Sequence, residues 1–475
     1  MSELLDLLQN RIGWPTKKDI EAIANDVPAV EFNEENLLKK CPLALLSRYL
    51  VPTSDYSPSS SYTFTVLLNS RVLVPPHELL ADVCTRCALN QNETATIGLI
   101  KLLAEWTDIF PYDFIDEKAQ QQLKSALGRI VTLYPSLCSD ISILTRTLHA
   151  KKAAWKKYES LLGKIQEESD MKKDSSAYVD ITELCPSTHM MAKQLTHIEL
   201  ERLSMIGPDE LMRALLRKDS EKNRPKNLES YIAWFNRLSN MAATCVCSRP
   251  KRRERVKMLD YWMDVAKECM QLANFNSFMA IVSALNTPPV SRLKKTWSKA
   301  HTDKFAALEK HLSPMSNFLI YRTSLKAALW RAAHAPAPVV VPCFSVFVKD
   351  AVVLADSGLG GSSVPWARWW AVSQHVAQLV QWKSVECPYD RHPTVLNYLL
   401  TNPILNEKQL DVASYECEQP ENSTEKEAFK KLKYVTHLFI HSSITQSFYF
   451  LLKCFLTLFR EALRSAKNRE VNIKS

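Results

Sequence analysis

Glycine is nearly missing from this sequence: the chain has 8 in 475 residues, where an average protein would have about 7%. Phosphate-cradling loops, dinucleotide fingerprints and nucleophile elbows need glycine where the backbone takes φ > 0 or closely approaches a ligand. None of those patterns occurs, and no Gly is followed by Lys-Ser or Lys-Thr. Other absences narrow the field further. His77-Glu78-Leu-Leu-Ala81 lacks the second histidine of a zincin. Cys84-Thr-Arg-Cys87 has no second ligand pair at zinc spacing, since Cys245-Val-Cys247 is a residue short. It reads as two thiols on one helix face. The histidines are dispersed, with no carboxylate pair or Ser/His/Asp order among them, so bond-breaking catalysis finds no support and no metal or cofactor is expected. There is no repeat of 20–50 residues to suggest a solenoid. Met1-Ser-Glu-Leu-Leu-Asp6 has early acids and no apolar h-region, which points to a reducing cytosol and mostly buried free thiols.

What is present points to helices. The chain is poor in glycine and rich in Leu, Ala, Lys and Glu, which is most simply read as all-α. Sixty basic against 51 acidic residues give a net charge of +9. That excess is diffuse: it suits acidic protein partners or anionic membranes without calling for nucleic acid. Leu99, Ile100, Leu102, Leu103 and Trp106 mark one face of a helix ending before Phe110-Pro111. Tyr62-Thr-Phe-Thr-Val-Leu-Leu68 fits a helix or a buried strand, with helix favoured by its neighbours. Residues 145–178 read as a charged helix decaying into a polar linker. In 254–272, Val256, Leu259, Met263, Ala266 and Met270 form one stripe. Trp262, Val265, Cys269 and Leu272 form another beside it, so this helix is buried over more than half its circumference. Arg249-Pro-Lys-Arg-Arg-Glu-Arg255 reads as a solvated loop rather than a nucleic-acid patch. Trp366, Trp369 and Trp370, at i, i+3 and i+4, read as core packing.

One segment stands out. Val339 to Leu354 begins as a β-rich apolar entry and becomes a helix. It meets Asp356-Ser-Gly-Leu-Gly-Gly-Ser-Ser363, which holds three of the eight glycines, and the Trp-rich helix 366–383 follows. The pattern is a helical hairpin closed by a glycine loop.

The second half of the chain resembles the catalytic domain of Ras-type guanine-nucleotide exchange factors. The resemblance runs in order through Asp180-Ile-Thr-Glu-Leu, Ala192-Lys-Gln-Leu-Thr-His-Ile-Glu199, Trp234-Phe-Asn-Arg-Leu, Asn274-Phe-Asn-Ser, Ile281 to Leu293, and Val341-Pro342 to Lys349-Asp350. Residues 43–114, with Pro76-His-Glu-Leu-Leu and Glu105-Trp-Thr to Phe114, resemble the N-terminal Ras exchanger motif domain. Gln194 to Leu203, Ser291-Arg-Leu-Lys-Lys-Thr-Trp297 and Val385-Glu-Cys-Pro388 are similar to the RasGEF domain-containing family 1 proteins.

This resemblance implies two helical domains and a regulator that performs no covalent chemistry. It divides the chain into an N-terminal segment (1–40), the exchanger motif domain (41–135), a helix and linker (136–178), the catalytic domain (179–433) and an apolar and basic tail (434–475). In the family, the hairpin enters a small GTPase, displaces switch I and disturbs the magnesium and phosphate site. Those roles fall on Val352 and Asp356, one helical turn apart. Asn276 is the candidate polar contact to switch II, and Lys349 and Gly358 belong to the GTPase-binding set. Phe344 and Phe347 join that set while also bracing the hairpin base. The sequence departs from the family pattern at Cys343, where an aromatic is usual, and at Ala351, Val352 and Asp356, where larger side chains are common. Each change shortens a side chain, so weakened or retuned exchange on a Ras or Rap GTPase is expected. An adaptor that binds without expelling nucleotide is the alternative. The stretch Ile444–Phe459 is too short to span a bilayer, and with its basic end it reads as an interfacial membrane helix, a helix packed on the domain, or a poorly ordered terminus.

Overall fold

The computed structural model describes residues 13–21, 30–89, 92–172, 179–216, 226–334, 339–355 and 364–436. Its main helices run, in chain order, α1 Ser60–Ser70, α2 Pro76–Leu89, α3 Glu93–Ile109, α4 Glu117–Leu133, α5 Cys138–Lys172, α6 Thr188–Met205, α7 Lys226–Cys247, α8 Arg252–Gln271, α9 Phe275–Leu285, α10 Leu319–Ala332, α11 Phe344–Ala355 and α12 Trp366–Lys383. Three short strands, β1 Glu31–Phe32, β2 Leu38–Cys41 and β3 Val364–Pro365, form one antiparallel sheet. The fold is all-α with this small addition. The Tyr62–Leu68 run is helical, and the helix read over 145–178 begins earlier, at Cys138.

Two compact units arise from this chain. One comprises residues 1–161, 206–226 and 348–381, the other 162–205, 227–347 and 382–475. In the first unit, side-chain caps begin the helices where the chain supplies Ser, Asn or Asp. Ser59 accepts from Tyr62 N, Asn92 from Ala95 N and Asp116 from Ala119 N, satisfying amides that have no partner within the helix. Tyr62, Val66, Leu68, Trp106, Phe110 and Phe114 are buried here. Arg71 grips Asp113 through both carboxylate oxygens at 2.8 and 3.3 Å, and Trp106 Nε1 donates to the same carboxylate at 2.8 Å. Gly98 is a glycine by necessity: a Cβ there would stand 2.7 Å from Pro52 Cβ. Cys84 and Cys87 are buried on α2, and burial pushes their thiols up to about 12 and about 11.

The second unit is built around α8. The centres of both predicted stripes, Leu259, Trp262, Met263, Val265, Ala266 and Cys269, are fully enclosed, while Val256, Met270 and Leu272 at their ends are half-buried. Helices α6, α7 and α9 contribute Leu195, Trp234, Leu238, Phe275, Phe278 and Ile281 to the same core. The basic run entering α8 corrects the solvated-loop reading. Lys251, Arg252 and Arg253 are exposed, but Arg255 is buried and donates to Thr296 Oγ1 and to the carbonyls of Arg249 and Pro250. Arg249 pairs with Asp180 at 2.8 Å. Two of these cations therefore serve the interior, where their partners offset the loss of hydration.

Candidate functional site

The hairpin starts where the extended entry meets the Asn274-Phe-Asn276 motif. Ala273 adopts φ 56°, which turns the chain out of α8. Asn274 then caps α9 by accepting from Ser277 N at 3.0 Å, and its amide donates to Thr196 Oγ1 at 3.1 Å. Val341 lies alongside in parallel pairing with this turn: its N–H donates to Ala273 O at 2.9 Å and its carbonyl accepts from Phe275 N at 2.8 Å. The apolar entry forms a single bridge, since only one residue is paired on each side.

Two side chains from other helices cap the first amides of α11. Cys343 N donates to Tyr321 Oη at 2.9 Å, and Phe344 N donates to Asn276 Oδ1 at 3.1 Å. Tyr321 is held against Phe275 edge-to-face at 5.6 Å. Phe344 packs edge-to-face on Tyr231 at 5.0 Å, and Phe347 on Trp382 at 5.3 Å. Both phenylalanines are buried. Burial also raises the pKa of the Cys343 thiol. A small side chain occupies this enclosed position.

Asn276 is 1% exposed. Its amide oxygen faces Phe344, and its amide nitrogen donates to Glu199 Oε2 at 3.0 Å. The structure therefore encloses Asn276 beside the first residue of α11. Further along α11 the character changes. Ala351 is fully buried, while Val352 is 38% and Val353 57% exposed. Lys349 is half-buried, 3.6 Å from Asp350. Asp356 and Gly358 lie outside the described residues.

The second hairpin helix is held by aromatics. Trp366, Trp369 and Trp370 are fully buried. Tyr62 lies 5.2 Å from the Trp366 ring and Trp14 5.5 Å from that of Trp370. The Asn69 amide donates to Ser373 Oγ at 2.8 Å and to Trp369 O at 3.3 Å. Just before this helix, β3 pairs with β2, Val364 opposite Cys41 and Pro365 opposite Lys40. Core packing of the tryptophans, read from their spacing, is what the structure has.

Residues 190–369 match the RasGEF domain model, a span that contains the Asn274-Phe-Asn276 socket and all of α11. Human Ras-GEF domain-containing family member 1B is 40% identical over 435 residues, covering 85% of this chain and 92% of that protein. Human member 1C is 40% identical over 417 residues, covering 82% and 90%, and zebrafish (Danio rerio) member 1B-A is 38% identical over 445, covering 87% and 86%. The chain belongs to the Ras-GEF domain-containing family 1. The matched domain and these relatives support a Ras-type guanine-nucleotide exchange factor.

The Ala192–Glu199 motif contains Glu199 without marking a role for it, and Tyr321 lies outside every motif. A signal for Glu199 existed. It lies four residues after Leu195 and four before Leu203, on the apolar side of α6, where a carboxylate needs a reason. Tyr321 gave no comparable sign.

Proposed function

We propose that this family member promotes GDP release from a Ras- or Rap-subgroup GTPase by presenting the exposed apolar turn of α11 to the nucleotide site. The observation that carries the reading is Val352 and Val353 standing exposed on a helix that is otherwise largely buried and firmly rooted. An apolar turn exposed on a fixed base suits a wedge. Asp356, four residues after Val352 in the sequence, supplies the carboxylate of the same reading. Residues 41–135 act as the Ras exchanger motif domain. Picomolar nucleotide binding corresponds to ~16 kcal/mol, so the exchange factor offsets that loss with an extensive interface to the nucleotide-free GTPase. No covalent bond is made or broken.

A second reading, an adaptor that binds a GTPase without expelling nucleotide, draws on the short side chains of Ala351 and Val352. Release of a fluorescent GDP analogue from purified Ras and Rap proteins separates the two. Acceleration on at least one GTPase is expected. Binding without acceleration on every GTPase of the panel favours the adaptor. Within an active pair, Asp356→Ala is expected to slow release, and a wild-type rate removes Asp356 from the mechanism. The tail reading is tested by pelleting chains ending at 433 and at 475 with anionic liposomes, where equal binding removes the membrane role.

A further inference from the structure

The root of α11 depends on a chain of side-chain hydrogen bonds that begins at an enclosed carboxylate. Glu199 is fully buried. Its Oε1 accepts from Ser277 Oγ at 2.8 Å and from Trp234 Nε1 at 3.1 Å, and its Oε2 accepts from Asn276 Nδ2 at 3.0 Å. The buried Tyr231 hydroxyl stands beside it, outside ordinary hydrogen-bonding geometry yet close enough to favour the ionised form. Burial raises the carboxyl pKa, and these donors oppose that rise. Enclosing a carboxylate carries a large loss of hydration before such bonds offset it, so a packing role alone would be better filled by an apolar side chain.

What a carboxylate supplies here is acceptors and nothing else. That decides the orientation of the Asn276 amide. Its NH2 must face Glu199, which leaves its oxygen for the Phe344 N–H at 3.1 Å. Turned over, the amide would set donor against donor at the first residue of α11. We propose that Glu199 is a positioning residue for nucleotide exchange, acting through Asn276 to fix the first amide of α11 and so the aim of the Val352 turn. The inference rests on the hairpin reading above and assigns that site a support outside the exposed face. Val352 lies eight residues beyond Phe344, about 12 Å along a helix. A tilt of ten degrees or so at the root would therefore move it by roughly 2 Å, and displacements of about 1 Å already cost around a hundredfold in well-positioned reactions.

The test is a reversal of the donor and acceptor. Glu199→Gln and Asn276→Asp are made singly and together, and GDP release and backbone amide exchange over 341–348 are measured. The first single variant sets one amide against another, and the second sets one carboxylate against another. In the double variant, the introduced amide at 199 donates to the introduced carboxylate at 276, whose other oxygen still accepts from Phe344 N–H. Each single change is expected to lower the maximal release rate about tenfold or more, with half-saturation by the GTPase moving less than about twofold, and to deprotect the 341–348 amides. The double variant is expected to recover to within about threefold of wild type in both readouts. A general packing defect would worsen with a second substitution, so recovery is the discriminating result even if a single variant folds poorly. A double variant no better than its slower parent overturns the inference, as do wild-type release and protection in Glu199→Gln. If the wild-type protein accelerates no GTPase, the exchange reading fails, and the amide-exchange cycle still decides whether Glu199 holds the root.

Discussion

The two helices of the hairpin are held by different physics. At the root of α11, directed bonds from Tyr321, Asn276 and the 273–275 turn meet successive backbone groups. Along α12, three tryptophans disappear into an apolar interior against Tyr62 and Trp14. Apolar burial is large and non-directional, whereas a hydrogen bond contributes little net stability but is costly to leave unmade and fixes an orientation. The contrast suggests a division of labour, in which α12 supplies stability and the α11 root supplies aim.

Removing the α12 anchor should therefore cost the most stability. Trp369→Ala is expected to lower unfolding free energy by about 3–5 kcal/mol, read by denaturant titration. A loss below about 1 kcal/mol would mean that the tryptophan cluster is not the anchor. Next comes the polar contact on the same helix. Asn69→Ala removes the donor to Ser373 Oγ and Trp369 O and should cost about 1–3 kcal/mol, with a proportionate effect on exchange. Tyr321→Phe leaves the buried Cys343 N–H without its acceptor. Its stability cost falls in the same range or below, but its effect on exchange should exceed that of Asn69→Ala. If the two variants lose exchange activity only in proportion to stability, the division of labour is wrong.

How much of this was legible in the sequence follows from the range of each interaction. The two stripes of α8 and the tryptophans of α12 are periodic, local patterns, and they predicted burial correctly. The β1-β2-β3 sheet was not foreseen. Its strands are two to four residues long, and β3 lies more than 300 residues beyond β2, so neither periodicity nor a hairpin turn announces it. Arg255 was read as solvated because its neighbours are basic, whereas its partner Thr296 lies 41 residues away. The Asn274-Phe-Asn276 motif marks Asn276 as a polar contact, but its two partners within the chain come from segments 77 and 68 residues distant. The helices on either side of residues 356–363 are legible because the apolar entry and the tryptophan run are contiguous, local patterns.

Val352→Ala provides the smallest expected change in stability and the most direct test. Val352 is 38% exposed, so truncation should leave unfolding free energy within about 0.5 kcal/mol. If the exposed turn of α11 drives exchange, the same variant should release GDP from the responsive GTPase about tenfold more slowly, ~1.4 kcal/mol of transition-state stabilisation. Unchanged stability with unchanged release would contradict the account.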